Sequence, residues 1–184
     1  MIRIADLVLS LILLMVAIPL LAVATFLISV ESRGWPVFSQ VRIGKYGKEF
    51  IIYKLRTMYV NASKDGNFAT KKGDKRITRV GGFLRATSID ELPQLINVIR
   101  GDMSFVGPRP DVPTQKEMYT EREFIFRHSV QPGITGLAQI RGRSGATHEI
   151  RLKNDCEWVE KRSFTLYLKI LMITVYSVLT KLAH

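Results

Sequence analysis

An uncharged apolar segment near the N-terminus, residues 7–30, constrains the fold of this chain more than any other feature. As an α-helix, these residues would extend about 36 Å, enough to cross a hydrocarbon core of about 30 Å. The segment is longer than the apolar part of a signal peptide, and no clear small-x-small cleavage site follows it. We therefore predict that residues 1–32 form a membrane-embedded unit.

Pro19 lies in the middle of this segment, where a proline removes one backbone hydrogen bond and can bend a helix sharply. Two topologies follow: a straight helix that crosses the membrane, or a re-entrant hairpin that bends at Pro19 and returns to its side of entry. Ser10 or Thr25 would help to satisfy the backbone groups that such a bend frees. Positive charge flanks both ends of the segment, at Arg3 before it and at Arg33, Arg42, Lys45 and Lys48 after it. Because cytoplasmic flanks carry the excess of positive charge, the hairpin is favoured.

The remaining residues, 33–184, are predicted to form one small cytoplasmic domain. With 184 residues, nearly half of them apolar, the chain is long and apolar enough to build a core. Its net charge of +11 predicts an anionic partner: nucleic acid, a membrane surface or a phosphorylated small molecule. The charge is uneven, because residues 33–85 contain 13 Lys and Arg but only 3 Asp and Glu.

Several common motifs are absent from the sequence. There is no GxxxxGK[ST] loop and no GxGxxG after a strand, and no nucleic-acid-binding signature is recognised. His128, His148 and His184 are too scattered for a zinc site. Cys156 is the single cysteine and has no obvious histidine partner, so we interpret it as incidental rather than nucleophilic. We predict no nucleic-acid partner, since nucleic-acid binding would leave the apolar segment unexplained.

The sequence pattern predicts an α+β fold that is mostly helical, with amphipathic helices at the membrane interface. Residues 37–58 alternate in polarity and predict two short strands around a turn between Gly44 and Gly47. Residues 59–82 are typical of a polar loop, and residues 131–143 of a glycine-rich loop with a short strand. Helices are predicted over residues 89–100, 114–127 and 149–161.

The helix over residues 89–100 is predicted to bury one face and to end at Gly101. The face consists of apolar residues at helical spacing: Leu92, Leu95, Ile96 and Ile99. The apolar C-terminal segment, residues 163–184, contains Lys169, which a helix in the membrane interface tolerates because lysine can extend to water. A buried core helix is the other interpretation of that segment, and both remain open.

The stretch SIDELPQL places two carboxylates, Asp90 and Glu91, side by side where a helix is predicted to begin. In one interpretation they are ordinary first-turn acids. Ser88-x-x-Glu91 matches a capping box, and Thr87-x-x-Asp90 matches it in the next register. Acidic side chains there also suit the helix dipole.

The alternative interpretation makes Asp90 and Glu91 a reactive pair. Arg85, Arg100 and Arg109 are near them in sequence, and prolines on both sides of Arg109 restrict its backbone. Two carboxylates can hold Mg²⁺ while phosphate oxygens complete its coordination. A carboxylate can also attack phosphorus once cations neutralise the phosphate charge. The pattern is therefore compatible with phosphoryl transfer.

A family resemblance rests on these residues together. The apolar N-terminal helix with a central proline, then YKLRTM, SIDELPQLINVIRGDMSFVGPRP and QPGITGLAQIRGR in this order, resembles the bacterial sugar transferases. These are the monotopic phosphoglycosyl transferases, and the small single-domain members, of the type that transfers diacetylbacillosamine phosphate, are the nearest type. The resemblance covers almost the whole chain and implies that the N-terminal helix is a re-entrant hairpin.

The resemblance implies an activity and a site. Members of the family transfer a sugar-1-phosphate from a UDP-sugar to undecaprenyl phosphate, release UMP and use Mg²⁺ in a ping-pong reaction. Asp90 would be the nucleophile and Glu91 its partner, and both would hold the metal. The residues that would bind phosphate or substrate are Arg85, Arg109, Arg56 and Asp155. The expected location is the cytoplasmic face of the inner membrane, with membrane lipids and downstream glycosyltransferases as further partners.

The chain departs from the common family pattern at several positions. Ile18 stands before the proline where serine is frequent, Arg141-Gly142-Arg143 replaces Asn-Gly-Arg, and Tyr167 stands where aspartate is frequent. Glu157 and Trp158 stand where the family often has two tyrosines. These changes leave the transferred sugar open. The alternative function is a non-catalytic basic membrane protein that scaffolds a glycan assembly complex, which would not require intact Asp90 and Glu91.

Overall fold

The computed structural model describes residues 1–60, 74–142 and 147–182. The helices are α1 (Ile2–Glu31), α2 (Arg79–Thr87), α3 (Gln94–Arg100), α4 (Glu121–Arg127), α5 (Leu137–Arg141), α6 (His148–Lys161) and α7 (Phe164–Leu182). The strands are β1 (Val37–Ile43), β2 (Glu49–Leu55), β3 (Ser104–Val106) and β4 (Gly133–Thr135). The fold is therefore mixed and mostly helical, as predicted.

Helix α1 is long and apolar enough to cross a membrane. It is described as one helix from Ile2 to Glu31 with Pro19 inside it, so the predicted hairpin is not shown. A proline removes only one backbone hydrogen bond, and a long helix supported along one side can continue through it. The hydroxyls of Ser10 and Thr25 donate to Leu7 O and Ala22 O, each three residues back, and not to a carbonyl beside Pro19.

One narrow face of α1 packs on the rest of the chain, and the other faces are exposed. The buried residues recur at intervals of four and seven, which places them along one side of a helix: Asp6, Ser10, Ala17, Ala24 and Ile28. Large apolar side chains such as Met15, Val16 and Phe26 remain mostly exposed. An apolar surface of this kind, on a helix of this length, is typical of contact with lipid.

Both ends of α1 are hydrogen-bonded to the same body of the chain. Near the start, Arg3 Nη2 donates to Ile99 O at 2.8 Å, and Asp6 Oδ1 accepts from both Phe105 N (3.0 Å) and Tyr167 Oη (2.8 Å). At the end, the Glu31 carboxylate accepts from the backbone N–H groups of residues 79 and 80, at the start of α2. The helix therefore lies against the body rather than projecting away from it.

Two apolar clusters hold the elements together. The larger joins β2, α3, β3, α6 and α7, and its members include Leu95, Val98, Met103, Trp158, Tyr167 and Ile170. The smaller attaches the second half of α1 to β2 and α2 through Ala24, Ile28, Leu55 and Leu84. In α7 one face thus belongs to the core while Lys169, Met172 and Tyr176 are exposed. The buried face agrees with the interpretation as a core helix, and the location of the exposed face at a membrane interface stays a prediction.

The β-hairpin predicted over residues 37–58 is confirmed: β1 and β2 pair antiparallel, with Ile43 opposite Glu49 at the turn. Strands β3 and β4 form a separate parallel pair. Close backbone approach there requires glycine, because a Cβ at Gly133 would lie 2.1 Å from Gly107 N. The close approach brings the loop after β3 against β4.

The helix predicted over residues 89–100 is divided. A 3₁₀ turn, Ile89–Glu91, comes first, and α3 begins only at Gln94, after Pro93. The buried face also differs: Asn97 and Val98 are fully buried, whereas Ile96 is 38% exposed. Asn97 is buried because its side-chain amide binds the backbone of β2 at Ile51 O. Gly101 ends α3 with φ +91°, as predicted.

Three other predicted segments differ from the observed helices. The helix predicted over residues 114–127 is a 3₁₀ helix, Pro113–Met118, followed by α4, which begins after the capping residue Thr120. Helix α2 begins at Arg79, inside the predicted loop of residues 59–82, of which 61–73 lie outside the described residues. Residues 131–143 contain helix α5 as well as the expected short strand.

Candidate active site

Asp90 and Glu91 lie on the 3₁₀ turn between α2 and α3, beside the end of strand β2. Ser88 directly precedes the turn and adopts a left-handed conformation with φ +59° and ψ +16°. This conformation ends α2 and reverses the chain. Asp90 is buried with 8% of its surface exposed, whereas the Glu91 side chain is 23% exposed.

The capping interpretation of these carboxylates is wrong. Ser88 makes no side-chain capping hydrogen bond at the turn, and the Thr87 hydroxyl donates back to Phe83 O at 2.9 Å. The Glu91 carboxylate accepts from Lys54 Nζ at 2.6 Å. The physical reason is the left-handed conformation of Ser88, because a capping residue has an extended backbone that aims its side chain at the first turn.

Glu91 is held by two cations. Besides Lys54 at 2.6 Å, Arg109 Nη2 lies 3.9 Å from Glu91 Oε1. Burial alone would raise the pKa of Glu91, but the charges of Lys54 and Arg109 outweigh it and hold the pKa below its usual value. Glu91 is therefore ionised at neutral pH.

At Asp90, in contrast, burial has a larger effect on the pKa than the neighbouring cations. Burial and the neighbouring Glu91 charge raise its pKa from 3.8 to about 6, although Lys54 and Arg85 oppose the shift. The carboxylate is thus poorly solvated but still largely ionised at pH 7. A desolvated carboxylate close to fixed cations is a candidate nucleophile or base for an anionic electrophile.

The structure brings two of the predicted arginines to Asp90 and Glu91. Arg85, in the last turn of α2, donates from Nε to Thr57 Oγ1 at 2.9 Å, and its charge acts on Asp90. Arg109 approaches Glu91 from the loop after β3 and keeps 57% of its side chain exposed. Both could bind phosphate oxygens at this position.

The other two predicted residues lie elsewhere. Arg56 donates to Ser32 O at 2.6 Å and to Arg33 O at 3.1 Å, so it fastens the C-terminal end of α1. Asp155, on α6, accepts from Arg127 Nε at 2.9 Å in a buried ionic cluster. Burial raises the pKa of Asp155 despite the Arg127 charge. Neither contacts Asp90 or Glu91 through a described hydrogen bond.

The loop Gly107–Pro110 carries Arg109 and is held through its backbone. Gly133 N donates to Pro108 O at 2.9 Å, Arg127 Nη2 to Arg109 O at 2.7 Å and Arg42 Nη1 to Pro110 O at 2.9 Å. Its backbone is thus fixed while the guanidinium of Arg109 stays accessible. A fixed position of this kind reduces the entropy lost when an anion binds.

Arg127 is the centre of the buried cluster behind this loop. It binds Asp111 and Asp155 with its remaining nitrogens, and His128 Nε2 lies 3.2 Å from Arg127 Nη1 and 3.5 Å from Asp111 Oδ2. Arg127 is 4% exposed, and the two carboxylates are similarly buried. The cluster connects α4 and α6 to the loop that carries Arg109.

Sequence reasoning did not identify Lys54, Arg42, Asp111 or Arg127. Lys54 could have been found, because it stands within YKLRTM, from which only Arg56 had been selected. Lys54 lies on strand β2, and its side chain points to Glu91. Because the strand ends at Leu55, its alternation of side-chain directions does not extend to Arg56. Arg127 carried no such signal, since its partners are 16 and 28 residues away.

A cavity of about 270 Å³ opens beside the loop that carries Arg109 and the buried cluster of Arg127. It shares Arg42, Arg109 and Pro110 with a smaller cleft that contains Lys54 and Glu91. Burial and the nearby Arg109 charge lower the pKa of the Arg42 guanidinium. An anion bound between the two arginines would relieve their repulsion.

Asp90 and Glu91 fit a magnesium site in which substrate oxygens supply the other ligands. Among the described residues, no three of His, Cys, Asp and Glu come together as a metal cage. Mg²⁺ is commonly held by one or two carboxylates, with phosphate and water oxygens as the other ligands. Asp90 and Glu91 match this arrangement, because only Oε1 of Glu91 is occupied by Lys54.

A buried carboxylate pair with converging arginines, next to an exposed apolar helix, defines the chain as a candidate phosphate-transfer protein of the membrane surface. The chain belongs to the bacterial sugar transferase family, whose model matches residues 1–181.

Individual relatives are similar over nearly the whole chain. A UDP-glucose:undecaprenyl-phosphate glucose-1-phosphate transferase of Caulobacter vibrioides is 43% identical over 97% of this chain and 69% of its own length. A Klebsiella pneumoniae protein of the same name is 41% identical over 95% of this chain. A UDP-N-acetylgalactosamine-undecaprenyl-phosphate N-acetylgalactosaminephosphotransferase of Aeromonas hydrophila is 39% identical over 88% of this chain. The chain spans only 39% and 40% of the length of these last two relatives.

Proposed function

We propose that this chain transfers a sugar-1-phosphate from a UDP-sugar to undecaprenyl phosphate and releases UMP. The observation that carries the proposal is the buried Asp90 carboxylate, with its pKa near 6, among Glu91, Lys54, Arg85 and Arg109. Relatives with undecaprenyl-phosphate sugar-1-phosphate transferase names support the two substrates.

The reaction proceeds in two displacements at Asp90. First, a carboxylate oxygen of Asp90 attacks the β-phosphorus of the UDP-sugar; the bond from that phosphorus to the bridging oxygen breaks, and UMP leaves with the electron pair. Then a phosphate oxygen of undecaprenyl phosphate attacks the same phosphorus. The Asp90–phosphorus bond breaks, the carboxylate is restored, and the product is the undecaprenyl diphosphate sugar. No net proton transfer to Asp90 is needed.

The neighbouring residues stabilise charge. Arg85 and Arg109 bind the phosphate oxygens, where charge on the transferring group must be offset. Lys54 keeps Glu91 ionised and fixes its direction, so that Glu91 and Asp90 together hold Mg²⁺. When bound, Mg²⁺ supplies further neutralisation of the phosphate charge. Arg56 and Asp155 act indirectly in this scheme, by fixing α1 and the cluster behind the Arg109 loop.

The membrane arrangement we propose is re-entrant, with α1 bending near Pro19 in the lipid and both its ends on the cytoplasmic face of the inner membrane. The contacts of Arg3 and Glu31 with the same body of the chain support this arrangement. It would place Asp90 close to a lipid phosphate. Residues 1–32 then form the membrane unit and residues 33–184 the cytoplasmic unit, with the exposed face of α7 at the interface.

The product would be the starting lipid for a polysaccharide or glycoprotein glycan, and downstream glycosyltransferases are the proposed partners. The sugar is not assigned by similarity, because the relatives include both a glucose-1-phosphate transferase and an N-acetylgalactosaminephosphotransferase.

The test is UMP release by the purified full chain with Mg²⁺, undecaprenyl phosphate and a panel of UDP-sugars. We expect release with at least one donor, its loss in Asp90→Asn and a severe reduction in Glu91→Gln. The exposed Glu117→Gln variant, with the same change in charge, should retain activity. Near-normal turnover by Asp90→Asn would contradict the assignment of Asp90 as the nucleophile. Absence of UMP release with every UDP-sugar would favour a non-catalytic scaffold.

A further inference from the structure

The cavity beside the loop that carries Arg109 is lined by residues with buried polar atoms that the proposed reaction does not use. Gln139 Oε1 and Nε2, His148 Nε2 and Asp155 Oδ1 are all inaccessible, and none has a hydrogen-bond partner among the described residues. Folded proteins leave few such atoms unsatisfied. Their concentration around one cavity indicates a site built for a polar ligand.

The position of the cavity restricts what this ligand is. Since Arg42 and Arg109 belong both to the cavity and to the cleft at Glu91, a molecule bound in that cleft can extend into the cavity. The UDP-sugar has two parts on either side of the reacting phosphorus, the sugar and the UMP group. Arg42 and Arg109 line the cavity in addition to Arg127, whose charge Asp111 and Asp155 already offset. This positive excess favours the UMP group, which gains negative charge as it leaves.

The deeper part of the cavity has the chemistry of a pyrimidine site. A side-chain amide with both its oxygen and its nitrogen free can accept from the N3–H of uracil and donate to the adjacent carbonyl. The Gln139 amide meets this requirement and packs against Gly136, where a Cβ would lie 2.6 Å from its oxygen. Tyr119 and His148 form an aromatic wall, with ring centroids 4.8 Å apart. Such a wall can contact the face of a base.

We propose that this cavity is the uridine subsite of the donor and that the Gln139 amide pairs with the edge of the uracil base. The assignment rests on the proposed function for the identity of the donor. It places the α-phosphate between Arg42 and Arg109 and the base near Gln139 and Tyr119. Gln139 is accordingly a specificity-determining residue for the leaving group, remote from the phosphorus that reacts.

Two ligands separate base recognition from phosphate recognition. UMP and ribose 5-phosphate share the ribose and the phosphate, and only UMP has a base. We expect the wild-type full chain in detergent to bind UMP at least tenfold more tightly than ribose 5-phosphate, as measured by calorimetry. Gln139→Met should weaken UMP binding about tenfold or more and leave ribose 5-phosphate binding within about twofold.

Retained ribose 5-phosphate binding also shows that the variant is folded. Gln131→Met makes the same chemical change at a glutamine that does not line the described cavity, and it should alter neither affinity. A second variant, Gln139→Glu, removes the side-chain N–H groups that would donate a hydrogen bond to uracil. It should weaken UMP binding more than binding of ribose 5-phosphate. Equal wild-type affinities for the two ligands would overturn the subsite, and so would an equal effect of Gln139→Met on both. UMP release in the assay above decides the proposed function separately, whatever these affinities are.

Discussion

At Asp90, neighbouring charges decide the character of a single carboxylate. Asp90 and Glu91 are adjacent in sequence, yet the pKa of Asp90 is raised to about 6 while that of Glu91 is lowered. The difference arises because Lys54 binds Glu91 directly, whereas burial dominates at Asp90. Two chemically similar residues thus acquire different properties: Glu91 is firmly ionised, and Asp90 is a poorly solvated carboxylate, which suits the nucleophilic role we propose for it.

The raised pKa of Asp90 predicts a cost in stability without substrate and Mg²⁺. Because the folded pKa of about 6 lies above the usual 3.8, the contribution of Asp90 to stability is most favourable below pH 4 and is lost as pH rises through 6. The ionised group destabilises the folded state by roughly 3 kcal/mol at pH 7. We therefore expect Asp90→Asn to raise the Tm by several degrees at pH 7.5, with the gain shrinking towards pH 4.

Thermal unfolding at several pH values, in metal-free buffer, measures this effect. Glu117→Gln is the control, since it removes one negative charge from an exposed position. A gain in Tm that is independent of pH, or a loss at neutral pH, would contradict the assigned environment of Asp90.

Among the elements of the fold, the loop that carries Arg109 depends on contacts made far along the chain. Arg127 on α4 joins Asp111, the Asp155 carboxylate of α6 and the carbonyl of Arg109. The strands β3 and β4 fix the start of the loop through Gly107 and Gly133. The position of a flexible cationic side chain is therefore set by rigid neighbours, and not by the prolines alone.

Replacing Arg127 should be strongly destabilising. Arg127→Met leaves Asp111 and Asp155 buried without their counter-ion, and loss of one partner from a buried ionic group costs about 3–5 kcal/mol. The free energy of unfolding by urea measures the loss. Arg122→Met, on the exposed side of the same helix, should change it by less than about 0.5 kcal/mol. An effect of Arg127→Met as small as that of the control would show that the cluster does not hold the loop.

For the whole molecule, the question is how a transferase reaches a lipid substrate. Helix α1 has an apolar exposed surface along its length, and its two ends contact the same body of the chain. A straight crossing would separate those ends by the bilayer. The same body contains Asp90 and Glu91, so α1 is attached directly to the part of the chain that carries the two carboxylates.

Labelling with a membrane-impermeant maleimide tests the proposed topology. In a Cys156→Ser background, single cysteines at Ile4, near the start of α1, and at Lys45, in the β-hairpin turn, should react from the same side of oriented vesicles. Both should be accessible from the cytoplasmic side. Reaction from opposite sides would exclude the re-entrant arrangement.

Sequence reasoning succeeded where structure depends on local pattern. The hairpin of β1 and β2, the helix now seen as His148–Lys161 and the stop at Gly101 follow from alternation, periodicity and glycine. It failed where a single residue interrupts a pattern. Pro93 divides the helix predicted over residues 89–100, and the left-handed Ser88 removes the predicted cap.

By itself, the sequence determined that an apolar helix precedes a basic body and that Asp90 and Glu91 stand among arginines, because both facts reside in short segments. Only the tertiary structure decided which cations reach them: Lys54 binds Glu91, while Arg56 turns to the end of α1. It alone placed Gln139 and the cluster of Arg127 around the neighbouring cavity. Electrostatic and hydrogen-bond contacts depend on distances of a few ångströms between residues far apart in sequence, and these distances exist only once the chain has packed.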